Sequence, residues 1–288
     1  MNNINNSVCI IGAGWVGKIL AQTLQSSSVD VLATASSDIS MLELMALGIK
    51  VSQLTLSKEQ DITHDHPVLQ QQVLVVCIPP GIRYGKSDYP DKVAQLVKAA
   101  ELPSSKVNSV ILLSSTAVYN GLSGCVNEDS ALNLQAQKVA IINQAEQLIL
   151  RSNLSHKIVL RLGGLIGYNR QPGRFFKPEH EIANPDSVVN FIHRDDVVGI
   201  IIKLLAELSV DSREKPLANV YNCVASSHPK RQTFYTEAMQ QLKAQPACFA
   251  KQTEAIGKQV DSLYISTLNY HFIHHDLMSW LKTQNEIS

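Results

Sequence analysis

The chain has 288 residues, 45% of them hydrophobic and 17% charged, an ordinary globular composition that argues against disorder and gives length enough for one large core or two unequal ones. Lys plus Arg and Asp plus Glu number 25 each, so no global field draws the chain to nucleic acid or to an anionic membrane. Five cysteines (Cys9, Cys77, Cys125, Cys223 and Cys248) lie far apart without CxxC spacing, a pattern of a reduced compartment with no structural zinc. The opening MNNINNS has neither a basic nor an apolar targeting segment, and apolar runs such as VVGIIIKLLAEL fall short of the roughly 20 residues of a membrane helix. A cytoplasmic protein without a membrane partner is predicted.

Ser7 to Ile11 is a short apolar run that stops at Gly12, as a strand buried on both faces does. Val16, Ile19, Leu20, Thr23 and Leu24 then recur on one face of a helix, which predicts packing against the sheet. Val29 to Ala33 reads as a second strand, and Ser40 with Glu43 as a capping box for the helix MLELMAL, which ends at Gly48. Strand Val73 to Ile78, helix Asp91 to Glu101, strand Val110 to Ser115, helix Val139 to Arg151 and strand Ile158 to Leu162 continue the alternation.

Strands alternating with helices imply an α/β fold with a parallel sheet covered on both sides. After Gly163 the rhythm breaks into the loop GYNRQPGRFFKPE, an apolar helix from Asp196 to Leu208 and short mixed elements to Trp280. The expected organisation is a Rossmann-type doubly wound domain over residues 1–165 and a smaller C-terminal substrate lobe over 166–288. The helix near 196–208 is expected to pack back on the first domain.

Gly12-Ala13-Gly14-Trp15-Val16-Gly17 is G-x-G-x-x-G between the first strand and the first helix. Gly12 permits the tight turn, Gly14 lets the backbone approach a pyrophosphate, and Gly17 lets helix and strand pack closely. With Trp15 and Val16 these residues are the predicted seat of a nicotinamide dinucleotide, because a helix N-terminus offers N–H groups and partial positive charge to an anion. The second strand is followed by Thr34, Ala35, Ser36 and Ser37, with Asp38 late for a bond to the ribose of NAD. Either NAD or NADP fits this turn; the hydroxyls of Thr34, Ser36 and Ser37 favour NADP.

At this point the chain resembles the extended short-chain dehydrogenase/reductases, also known as NAD-dependent epimerase/dehydratase proteins. The likeness rests on GAGWVG, VLVVCIPPG, LLSSTAVYN followed by NEDS, LRLGGLIGYNRQPGR and FIHRDDVVGII. It implies a seven-stranded parallel sheet, a C-terminal substrate lobe, coenzyme contacts near Cys77, Pro79, Ser114 and Gly164, and a small polar substrate such as a sugar derivative; a homodimer would fit relatives. Family enzymes use Ser or Thr with Tyr-x-x-x-Lys, the tyrosine as acid or base and the lysine on the nicotinamide ribose. Ser115 falls at the first position and Lys138 is the lysine available, but Leu134 stands four residues before it; a frame set from Glu146 gives Gln137 and Ile141 instead. Three readings stay open: Tyr119, Tyr168 or His193 substitutes for the missing tyrosine, the reaction differs, or the chain binds coenzyme without turnover as a redox sensor or protein-interaction module.

Arg161, Arg170 and Arg174 bracket the loop after the strand that ends at Leu162, and planar guanidinium groups suit anionic substrates. Arg174, Tyr168 and His193 are the substrate candidates. Asp195 or Asp196 is expected to cap the following helix. Neither His64-Asp65-His66 nor the pair His274 and His275 comes with a third ligand in sequence, so no metal site is predicted.

Overall fold

The computed structural model describes residues 4–57, 59–82, 85, 87–177, 179–210, 216–251 and 257–283. In chain order the first strands and helices are β1 (Val8–Ile11), α1 (Trp15–Ser26), β2 (Val31–Ala35), α2 (Asp38–Ala46), β3 (Lys50–Gln53), β4 (Val73–Val76), α3 (Tyr89–Ala100), β5 (Ser109–Ser115), β6 (Gly124–Val126), α4 (Gln137–Leu150) and β7 (His156–Leu162). There follow β8 (Gly164–Ile166), β9 (Glu181–Ile182), β10 (Phe191–His193), α5 (Arg194–Leu208), β11 (Val220–Cys223), α6 (Arg231–Gln241), β12 (Cys248–Phe249), β13 (Lys258–Val260) and α7 (Leu277–Thr283).

Seven strands form one parallel sheet in the order β11-β7-β5-β4-β1-β2-β3. The chain winds outward from β1 to β3, then restarts on the other side of β1 with β4. The reversal leaves a crevice at the carboxyl ends of β1 and β4, where open α/β sheets bind ligands. The doubly wound Rossmann-type fold expected from the sequence is therefore the fold found.

Two-residue periodicity explains the layers. Val8 and Ile10 enter one core with Leu20 and Leu24 of α1 and Val197, Ile201 and Leu204 of α5; Cys9 and Ile11 enter the opposite core with Val93 and Leu96 of α3 and Ala145 and Ile149 of α4. Both faces are apolar, so the strands read as unbroken hydrophobic runs. A third core gathers Ile166, Phe234, Tyr235, Leu277 and Trp280 around α6 and α7.

Several elements depart from expectation. β2 begins at Val31 rather than Val29, and α2 begins at Asp38 because Ser37, not Ser40, is its N-cap, accepting the Ser40 N–H at 3.4 Å. β3 is an added edge strand, and β11 joins the large sheet from well beyond residue 165. Helix α5 is capped by His193, whose Nδ1 accepts the Asp195 N–H at 3.2 Å, not by either aspartate. No helix among the described residues is long and apolar enough to cross a membrane.

All five cysteines are free; Cys9 and Cys223 are buried, Cys77 is partly so, and Cys125 and Cys248 are exposed. Burial pushes the Cys77 thiol up to about 12 and those of Cys9 and Cys223 higher still, leaving almost no thiolate to react. Brief alkylation of the native protein is therefore expected to label Cys125 and Cys248 alone, as read by peptide mass spectrometry. Labelling of Cys77 at a comparable rate would contradict that packing.

Candidate functional site

The glycine turn is built from β1, β2 and α1. Gly12 has φ +83°, and a Cβ there would stand 2.8 Å from Ile78 Cγ2, so the turn needs glycine for both conformation and space. A Cβ on Gly17 would lie 3.0 Å from both the Gly12 carbonyl oxygen and Ile10 Cγ2, which is the close helix–strand approach expected of the third glycine. Gly14 differs: a Cβ there would meet nothing within 4 Å. It is the N-cap of α1 and supplies no side-chain cap, and the helical ladder opens only with Lys18 N–H to Gly14 O at 2.9 Å. The N–H groups of the first turn thus have no side-chain cap at the positive end of the helix.

Beside this turn lies a cavity of about 300 Å³, walled by Ala13, Gly14, Trp15, Lys18, Arg194 and Asn169 among others. Trp15 anchors the wall: its Nε1–H donates to Asn169 Oδ1 at 2.6 Å, and the guanidinium carbons of Arg194 and Arg170 stand 4.9 and 5.4 Å from its ring. Lys18 reaches Glu43 of α2 at 2.6 Å. Glu43 lines the cavity too and offsets Lys18, so Arg194 is the cation left over in the lining, next to a helix N-terminus that itself favours an anionic ligand. Asn169 and Arg194 were not among the sequence candidates; each owes its place to a chain crossing from the second half of the protein.

Of the residues expected near an adenosine ribose, Thr34 is buried and occupied. Its Oγ1 accepts the Gly12 N–H at 3.0 Å and its carbonyl accepts the Ala13 N–H at 2.9 Å, so Thr34 shapes the turn instead of facing a ligand. Ser37 is spent on capping α2, Ser36 is exposed after β2, and Cys77 and Pro79 follow β4 across the crevice.

The expected catalytic group is rearranged more deeply. Ser114 donates to Glu146 Oε1 at 2.6 Å in the interior, which removes it from the coenzyme candidates. Glu146 is bridged by Arg161, with Nη2 to Oε2 at 2.7 Å, and Arg161 Nη1 donates to the Tyr119 hydroxyl at 2.7 Å. Tyr119 in turn donates to Asn222 Oδ1 at 2.9 Å and is fully buried. With both lone pair and proton engaged inside, Tyr119 is not available as an acid for a substrate, and Arg161 is an interior ion-pair partner, not a loop charge. Ser115 caps the short 3-10 turn of Thr116–Tyr119 by accepting the Ala117 N–H at 3.1 Å, which leaves its own proton free to donate. Lys138 is exposed at the start of α4, and Leu134, four residues before it, is 52% exposed.

Lys258 on β13 reaches this region, donating to Asn120 Oδ1 at 2.6 Å. Burial pulls its ammonium down to about 8 from 10.5, so the folded state disfavours the charge. Folding stability contributed by neutral Lys258 is present above pH 10.5 and lost as pH falls through about 8. The stability of the wild type relative to Lys258→Met is expected to rise by about 1–2 kcal/mol across that window, after discounting for partial exposure. Denaturant titrations at several pH values measure it, and a flat difference would refute the burial of the charge.

The second half supplies the remaining candidates. His193 is fully buried and packs at a tilt against His274 (ring centroids 3.9 Å apart) and Trp280 (5.1 Å); burial first, and His274 second, pull its imidazole down to about 4. A buried cap is a poor substrate contact. Tyr168 stands over it edge-on at 5.2 Å and is 43% exposed; burial of its hydroxyl and the neighbouring Asp195 hold the phenol protonated above its usual range. Arg174 is exposed in the 3-10 turn Pro172–Arg174. Gly164 pairs with Phe191 in the small β8–β10 sheet, and its Cβ position is filled by the Phe191 ring, so its requirement for glycine is a packing one.

Fold and site together describe a doubly wound α/β protein with a glycine-rich turn beside a cavity lined by Lys18, Glu43 and Arg194. No protein-family model matches the chain. It is 28% identical over 277 residues to protein YeeZ of Escherichia coli strain K12, covering 93% of this chain and 96% of YeeZ. Among solved structures it resembles the UDP-glucuronic acid 4-epimerase of Bacillus cereus in complex with UDP-glucuronic acid and NAD, with TM-score 0.75 at 16% identity, over 97% of this chain and 98% of the epimerase. It also resembles human epimerase family protein SDR39U1 with NADPH, with TM-score 0.72 at 16% identity, over 98% and 100% of the two chains. These likenesses span the whole protein and establish that it shares their fold.

Proposed function

We propose that the protein binds a nicotinamide dinucleotide at the glycine turn and acts as an NAD(P)-dependent oxidoreductase or epimerase-like enzyme on a small polar, sugar-derived substrate. The observation that carries this reading is Gly14, where a side chain would project into empty space at the uncapped start of α1; a pyrophosphate fits where a Cβ would stand. The backbone of Gly14, Trp15, Val16 and Gly17 would hold the diphosphate, with Arg194 lending charge. When bound, the coenzyme supplies hydride transfer. NADPH is favoured over NADH, because β2 ends without an acidic side chain and Ser36 stays exposed. The solved relatives, described with NAD or NADPH and one of them with UDP-glucuronic acid, support the class of coenzyme and substrate. A cytoplasmic homodimer is the form we attach to this reading.

The protein's own residues have two tasks in such a reaction. Ser115 donates its free proton to the reacting oxygen, and Tyr168, part-exposed with its hydroxyl bonded to Asp195, turns that proton to the substrate in place of the family's tyrosine. Arg174, exposed on the loop that follows, would meet an anionic substrate group. A second reading, a coenzyme-binding module without turnover, is favoured by the buried hydroxyl of Tyr119 and the leucine at position 134.

Turnover separates the two. Coenzyme-loaded protein is offered a panel of nucleotide sugars and small carbonyl compounds, and both reduced-nicotinamide absorbance and sugar products are followed. Activity that falls about 10²-fold or more in Tyr168→Phe and in Ser115→Ala, yet persists in Tyr119→Phe, supports the enzyme. Coenzyme binding with no turnover across the panel supports the module.

A further inference from the structure

Three side chains from two distant stretches of the chain meet at the start of α5. His193 ends β10, Asp195 lies in the first turn of α5, and His274 comes from the segment before α7; their ligand-type atoms all lie within 4.8 Å of one another. His193 Nδ1 stands 3.6 Å and His274 Nε2 stands 3.7 Å from the same oxygen, Asp195 Oδ2. Both separations exceed a hydrogen bond. They approach the edge between two ligands of one tetrahedral zinc ion, roughly 3.3 Å for bonds of about 2.0–2.1 Å.

The placement is held from outside the cluster. Asp196 is fully buried and accepts the Ile273 N–H at 2.6 Å, the His274 N–H at 3.1 Å and the Tyr270 hydroxyl at 2.9 Å. This clamp fixes the backbone that leads into His274, whose ring lies against that of His193. Ligands locked by a supporting shell are what a metal site requires. Yet the His274 Nε2 so positioned is buried with no hydrogen-bond partner among the described residues, an arrangement that ordinarily costs about 1–3 kcal/mol. Trp280 packs against both rings, and Tyr168 packs edge-on against that of His193.

We propose that His193, Asp195 and His274 bind one divalent transition-metal ion of the zinc class. Two imidazoles and one carboxylate select such an ion over magnesium or calcium, which prefer oxygen donors alone. The ion replaces the long cap bond from the Asp195 N–H as the partner of His193 Nδ1, and one carboxylate offsets part of its charge.

The test uses the full-length protein stripped with a chelator, titrated calorimetrically with zinc, and separately loaded with cobalt to read the ligand field in the visible spectrum. One zinc per chain is expected, with a cobalt spectrum of nitrogen and oxygen ligation. His274→Ala and Asp195→Asn leave the His193 cap in place; each is expected to weaken zinc by at least about 100-fold, since even outer-shell losses cost 10–100-fold, while thermal melts without metal stay close to wild type. The double variant His64→Ala, His66→Ala is expected to bind zinc as the wild type does. Absence of stoichiometric zinc uptake by the wild type, or uptake undiminished in His274→Ala and Asp195→Asn, would overturn the site. Because none of these readouts involves coenzyme or turnover, they stand apart from the proposed oxidoreductase activity.

Discussion

Gly14→Val is expected to weaken NADPH binding by at least about 100-fold, equivalent to about 2.7 kcal/mol, while the protein without coenzyme loses about 1 kcal/mol or less. The asymmetry follows from the geometry. A Cβ at Gly14 meets no protein atom within 4 Å, so the free fold has nothing to rearrange and loses only an N-cap preference. The same Cβ stands in the space a diphosphate would fill, and no neighbouring side chain can move to restore it. Gly17→Val gives the opposite pattern: its Cβ lies 3.0 Å from the Gly12 carbonyl and Ile10 Cγ2, an overpacked helix–strand contact costing about 1–3 kcal/mol of stability. Paired calorimetry and thermal melts distinguish the two, and equal affinity of Gly14→Val and wild type would remove Gly14 from any ligand site.

The second large effect is structural. Arg161→Met strands the Glu146 carboxylate in the interior, with Ser114 as its remaining neutral donor, and is expected to cost about 3–5 kcal/mol. That is a substantial part of the roughly 5–15 kcal/mol that holds a typical domain together. Replacing both partners, Glu146→Leu with Arg161→Met, removes the unpaired charge and is expected to recover most of the loss, because paired burial of ions brings little net stability over apolar packing. Tyr119→Phe deletes the hydroxyl that joins Arg161 to Asn222 and is expected to cost about 1–2 kcal/mol. Urea midpoints at fixed pH measure all three. The double variant as unstable as Arg161→Met would mean that the network does more than neutralise a charge.

This network also explains where the sequence misleads. Tyr119 follows a Ser-rich strand end and looks available for chemistry, but its partners Arg161 and Asn222 lie on β7 and β11, and nothing local announces that the three meet. The glycine turn is legible because its requirements are local: one positive φ, one close approach and one open position within six residues. β1, β4, β5 and β7 are legible because burial on both faces makes them continuous apolar runs. β3 is not, since its exposed edge carries Lys50 and Gln53, and β11 is short and places a polar Asn222 in the interior, held by Glu128 and the Asp261 carbonyl. His193 and His274 are both visible in the sequence, but their meeting is not, because a fold-level clamp through Asp196 brings them together.

The most direct measurement titrates NADPH and NADH separately into the free protein, following heat and indole fluorescence. Trp15 and Trp280 are the two tryptophans, and Trp280 is buried in the third core, so a ligand at the glycine turn reports through Trp15. Saturable binding of one coenzyme per chain, tighter for NADPH, with quenching that disappears in Trp15→Phe, is the predicted result. Neither heat nor quenching with either coenzyme would contradict the account.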